Sequence, residues 1–168
     1  MEYTIEDIFD VSATRFWDVF FDPAFDAALW PALDIDCEVL RFDRTGEGPA
    51  LEIRRELRLT PRREIPRMLR SFVTSAVSYV QSDHFRARDN LIETRTTPNF
   101  MADRIDNHGV FRLDVLGESR VKRIWNGHCS AKVPLVGGKV ESFLVDQIRD
   151  SYRKTTDFMR TWFARHPA

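Results

Sequence analysis

The final fifth of the chain, VPLVGGKVESFLVDQIRDSYRKTTDFMRTWFARH, reads as one long amphipathic helix entered through a proline and paired glycines, and nothing else restricts the fold as much. An average helix has about 11–12 residues, so this one must cross most of a small protein. Apolar residues recur at helical spacing through Val140, Phe143, Leu144, Ile148, Tyr152, Met159 and Trp162, which builds one side for burial. Gln147, Ser151 and Thr155 interrupt that stripe, where a sealed core favours Leu or Ile. Several such interruptions in series predict a wall that meets water or a ligand.

The sequence ahead of this helix changes period twice. Tyr3, Ile5, Ile8 and Phe9 suggest a first strand. Ser12 then caps a short apolar helix carrying Phe16, Trp17, Val19, Phe20 and Phe21. Asp22-Pro23 opens a second helix, with Phe25, Ala28 and Leu29, which Pro31 is expected to stop. From Ile35 the period is that of strands. Ile35, Cys37 and Val39 alternate with Asp36, Glu38 and Leu40, RTGEG makes a hairpin turn, and Leu51, Ile53, Arg55, Leu57 and Leu59 share one face of the next strand. REIPRMLRSF is not strand-like and is expected to form a short helix or loop over one end of the sheet. Longer strands follow in SAVSYVQSDHFRAR, NLIETRTTPNF, RIDNHGVFRLDVLG and SRVKRIWNGHCSAKV, joined by short turns at Asp89-Asn90 and Gly117-Glu118. The order is strand, two short helices, an antiparallel meander of about six strands, and one long helix.

This organisation resembles the START-like superfamily, also called SRPBCC, over essentially the whole chain. KVPLVGGKVESFLVDQIRDSY is similar to the junction of last strand and last helix in a bacterial branch of unknown function, and FDVSATRFWDVFFDPAFDAAL is similar to that branch's opening. The resemblance implies an α+β helix-grip fold, a strongly curved antiparallel sheet of six to seven strands wrapped around a long C-terminal helix, with residues 1–168 as one domain. It also implies a pocket between sheet and helix and leaves the activity open, since the superfamily hosts carriers, receptors, cyclases and hydroxylases. The paired glycines have a local reading as well: they allow the tight backbone that swings the last strand into the helix.

Composition narrows the function. A formal net charge of -1 with interspersed signs gives no electrostatic reason to bind nucleic acid. No stretch is long and apolar enough to span a membrane, the first residues lack the pattern of a signal peptide, and Cys37 and Cys129 read as reduced thiols, which together predict a cytoplasmic protein. The 13 Phe and 4 Trp supply apolar area either to a core or to the lining of a cavity. His84, His108, His128 and His166 have no metal-ligand spacing, so neither a metal nor a cofactor is called for. Strand parity puts His108 opposite Ile105, Phe111 and Leu113, toward solvent. No serine has a nucleophile elbow around it, and Cys129 and its neighbour His128 point to opposite faces; no catalytic residue is named.

Arg55 and Asn107 fall on the apolar faces of their strands. They either pair with acids such as Glu93 at an open end of the sheet, or present polar groups to a ligand in an apolar cavity. The candidate ligand contacts are Arg55, Tyr79, Asn107, Phe111, Trp125, Phe143, Gln147 and Ser151. The expected function is binding or transport of a hydrophobic, lipid-like small molecule without catalysis. The alternative is a cyclase- or hydrolase-type enzyme using a polar pair deep in the same cavity. Arg62, Arg63, Arg67 and Arg70 around Ile65, Met68, Leu69 and Phe72 form either a solvated face or a lid that touches a membrane transiently at the pocket mouth.

Overall fold

The computed structural model describes residues 1–62, 64–65, 67–71, 73 and 75–168. Seven antiparallel strands form one curved sheet: β1 (Glu2–Phe9), β2 (Ile35–Thr45), β3 (Glu52–Pro61), β4 (Tyr79–Arg86), β5 (Leu91–Pro98), β6 (Ile105–Gly117) and β7 (Arg120–Ala131). Their order is β1-β7-β6-β5-β4-β3-β2, so β2 to β7 run as a meander and β1 returns to pair with the last strand. Two short helices, α1 (Ala13–Phe20) and α2 (Pro23–Ala32), carry the chain from one edge of the sheet to the other. The 29-residue α3 (Gly137–Arg165) packs against β7, β1 and α2. This is the helix-grip architecture expected from the sequence.

The helix starts follow local chemistry. Ser12 Oγ accepts the Arg15 amide at 3.1 Å, and Asp22 Oδ1 accepts the Ala24 amide at 2.8 Å, each filling a bond that a first helical turn leaves open. Pro31 does not stop α2; the helix runs to Ala32, because in the last turn the amide that proline lacks costs only one bond. The entry to α3 also differs from expectation. The left-handed residue there is Leu135, at φ 68, rather than a glycine. Gly137 meets a different need, since a Cβ on it would stand 2.4 Å from the Ala131 carbonyl oxygen. The glycine lets the helix begin against the end of β7.

Strand register sorts the concave face into bands. One row reads Ile53, Phe85, Ile92, Phe111 and Trp125 across β3 to β7, and is apolar throughout. The next reads Arg55, Asp83, Thr94, Gly109, Gly127 and Tyr3. The third reads Leu57, Gln81, Thr96, Asn107 and Cys129, and the fourth returns to Leu59, Tyr79 and Pro98 beside Ile105 and Ala131. Two polar rows therefore lie between two apolar ones. In β2 a bulge between Val39 and Arg41 breaks the simple alternation, and Val39, Leu40 and Phe42 are exposed on this edge strand.

Two apolar clusters close the ends. The larger gathers Phe9, Phe16, Trp17, Phe25, Phe85 and Phe111 under α1 and α2 with Met159 of α3. The smaller joins Leu69, Phe100, Ile105, Val133 and Val140. Leu69, 3% exposed, is thus core and not a lipid-facing residue of a lid. Of the other residues of that suggested lid, Arg63 and Phe72 lie outside the described residues, as does the side chain of Met68.

Candidate functional site

Between the two clusters the sheet and α3 enclose a cavity of about 490 Å³, within the roughly 300–1,000 Å³ of small-molecule sites. All eight candidate contacts line it: Arg55, Tyr79, Asn107, Phe111, Trp125, Phe143, Gln147 and Ser151. The interruptions of the helical stripe are accounted for by geometry. Gln147, Ser151 and Thr155 face this space, while Val140, Val145, Thr156 and Met159 are the buried anchors of α3.

The polar pole of the cavity is a network centred on Arg55, which is 3% exposed. Its Nε and Nη2 donate to Asp83 Oδ2 at 3.2 and 2.9 Å, and its Nη1 donates to Asp26 Oδ2 at 3.2 Å and to the Phe20 carbonyl at 3.4 Å. Asp83 Oδ1 accepts Thr94 Oγ1 at 2.8 Å and Gln81 Nε2 at 3.2 Å. The guanidinium lies over the rings of Phe20 and Phe21 at 4.9 and 5.2 Å. The acids that hold Arg55 are therefore Asp83 and Asp26. Glu93 faces the other side of the sheet, where it accepts Arg86 at 3.0 Å. Asp26 was not legible from α2, whose apolar residues give no clear face.

Burial pushes the Asp26 carboxyl above the ordinary carboxylate range despite the nearby Arg55 charge. An acid with a raised pKa in the fold binds its proton more tightly there than in the unfolded chain. Stability is then fully present below the unfolded pKa and falls as pH rises through the folded one. Asp26→Asn is accordingly expected to melt higher than the wild type at neutral pH, with the difference closing as acid protonates Asp26; thermal melts across a pH series check this.

A second arginine, Arg123, is 2% exposed and also lines the cavity. It pairs with Asp7, donates to Thr156 Oγ1 at 2.6 Å and lies 4.8 Å from the centre of the Tyr152 ring. Tyr3 and Trp125 form part of the floor. A Cβ on Gly127 would stand 2.4 Å from both Trp125 Nε1 and Tyr3 Cζ, and one on Gly109 would stand 2.5 Å from the Trp125 ring. These two glycines, paired across β6 and β7, let both aromatic side chains lie flat on the sheet. Desolvation pushes the Tyr3 phenol up to about 12, so it stays a neutral donor, though the neighbouring Trp125 indole N–H opposes the rise. Neither group makes a well-aligned hydrogen bond, and the buried Asn107 Oδ1 has none.

Other reactive side chains lie elsewhere. Burial raises both Cys37 and Cys129 to about 11, so each is a thiol at neutral pH and a poor nucleophile. His84 bonds Glu52 at 2.8 Å, His108 bonds Asp106 at 3.2 Å and its ring lies 5.1 Å from that of His128, and His166 stacks on Trp162 at 4.1 Å. None of the four lines the cavity. Among the described residues no helix is long and apolar enough to cross a membrane.

The fold is shared with many solved structures. TTHA0849 from Thermus thermophilus superposes with a TM-score of 0.66 at 12% identity over 100% of both chains. The ZhuI aromatase/cyclase from Streptomyces sp. R1128 gives 0.65 at 11% identity, covering 98% of this chain and 94% of its own. A START superfamily protein from Mycobacterium smegmatis gives 0.61 at 12% identity, covering 98% and 97%. These likenesses place the chain in the START-like helix-grip fold expected from its sequence. No curated protein matches by sequence. One family model matches residues 4–163; its description is "Protein of unknown function (DUF2505)".

Proposed function

This chain belongs to the DUF2505 family, and we propose that it binds a hydrophobic small molecule in the cavity between the curved sheet and α3. The observation that carries this reading is the cavity itself: about 490 Å³ lined mainly by apolar and aromatic side chains, with a few polar groups converging on it. A protein using this face only as a core would fill such a volume, because empty space forfeits packing on every lining atom. The polar residues on the α3 stripe also suit a helix wall that meets a guest or water.

Ser151→Trp tests the reading. The indole projects from the middle of α3 into the cavity, so it should abolish uptake of a solvatochromic apolar dye while leaving the protein folded by circular dichroism. Undiminished dye binding by a folded Ser151→Trp protein would refute a site between sheet and helix.

A second reading, a cyclase- or hydrolase-type enzyme, is favoured by the carboxylates buried at one pole. Arg55 and Asp83 have their bonding capacity taken up by each other, Asp26, Gln81 and Thr94, which suits a structural role. Asp26 is the group left for proton transfer, and its raised pKa suits an acid or base working closer to neutrality. The carrier reading needs no such step and stands first.

A further inference from the structure

The charges around the cavity are unevenly matched, and this bears on which hydrophobic molecules the proposed site accepts. Its lining holds two cations, Arg55 and Arg123, and three acids, Asp26, Glu64 and Asp83. Arg123 is already neutralised by Asp7, which approaches from β1. Arg55 is shared between Asp83 and Asp26. Among the described residues, every guanidinium facing the space thus has a carboxylate of its own, and no lysine or histidine lines it. A bound carboxylate would meet only guanidiniums that already pair with an acid.

The remaining polar capacity points to a particular ligand chemistry. Asp83 is closed, with a side chain 1% exposed and both oxygens occupied. Asp26 is less enclosed, at 19%; its Oδ2 takes one bond from Arg55, and the Trp30 indole N–H also acts on the carboxyl. The polar atoms around the space without a well-aligned partner, Asn107 Oδ1, the Tyr3 hydroxyl, the Trp30 and Trp125 indoles and Arg123 Nε, are each buried away from it. The Asp26 carboxylate is left as the group that asks a guest for a donor.

We propose that the site selects apolar molecules whose polar end is a hydrogen-bond donor without negative charge, a hydroxyl or an ammonium group received by Asp26, and that it rejects carboxylates such as free fatty acids. This rests on the cavity being the ligand site. Like charges near Asp26 and Glu64 disfavour an anionic guest, whereas an ammonium group adds a counter-charge to the acid that shares its arginine.

The test compares three ligands with the same alkyl chain, dodecanol, dodecylamine and dodecanoate, each titrated below its micelle concentration into the full chain at neutral pH while dye displacement is read. Dodecanol and dodecylamine should bind at least about tenfold more tightly than dodecanoate. Asp26→Asn, its fold checked by circular dichroism, should lose the preference for dodecylamine over dodecanol. Dodecanoate binding as tightly as the others, or an unchanged amine-to-alcohol ratio in Asp26→Asn, overturns the assignment and leaves the cavity reading intact. Failure of all three to bind the wild type overturns both.

Discussion

Replacing Arg55 by leucine is expected to lower the unfolding free energy by about 3–5 kcal/mol at neutral pH, the usual effect of removing one partner from a buried ionic network. The guanidinium is 3% exposed and stands between Asp83 and Asp26. Without it, two carboxylates face one another in a largely apolar space, and the Phe20 carbonyl loses its donor. The deficit should shrink as acid neutralises the stranded acids, so urea denaturation at about pH 7 and about pH 5 should give a smaller difference at the lower value. Adding Asp83→Leu to Arg55→Leu should recover part of the loss, since an apolar replacement removes the unpaired charge along with its partner. A deficit independent of pH and unrelieved by the second change would mean that Arg55 acts through packing over Phe20 and Phe21.

Phe16→Ala should be comparably severe, about 3–5 kcal/mol, the range for deleting a fully buried aromatic side chain. Phe16 is 0% exposed and makes edge contacts with Phe9 at 5.2 Å, Trp17 at 5.4 Å and Phe111 at 5.9 Å, along with a stacked contact to Phe20 at 6.2 Å. It therefore seats α1 on β1 and β6 together. The damage should reach the cavity, because Phe20 lines it and its carbonyl holds Arg55. Phe16→Leu, which keeps most of the volume, should cost much less. Thermal melts of both variants, with dye uptake measured at a temperature where each is folded, separate the loss of stability from the loss of the site.

The parts of this fold that were legible in advance are those where one face is buried and the other solvated. The alternation of Leu51 through Leu59 and of Ile105 through Leu113 gave β3 and β6 their inward faces, and the stripe from Val140 to Trp162 gave α3 its buried side. Arg55, Asn107, Gln147 and Ser151 stood out because they broke those patterns. Asp83 did not, because β4 is polar on both faces; yet it shares parity with Tyr79, Gln81 and Phe85, which was a usable signal. The expected Arg55 partner Glu93 fails by the same rule, since Ile92 and Thr94 are the inward residues of β5. Arg123 was hidden beside the adjacent apolar pair Ile124 and Trp125, which blurred the face of β7. Asp26 reaches Arg55 only through the docking of α2 on the sheet, a contact 29 residues apart in sequence that no local period encodes.

The banded register of the concave face gives this scaffold a simple route to new ligand preferences. Each band takes one inward residue from each strand that it crosses, and the residues to either side of it point outward. A lineage or a designer can therefore rewrite one stripe of the lining, for example the Gln81, Thr96 and Asn107 row, leaving the outer surface, the turns and the neighbouring stripes unchanged. Chemistry and architecture are then inherited on separate sets of positions, interleaved along the same strands.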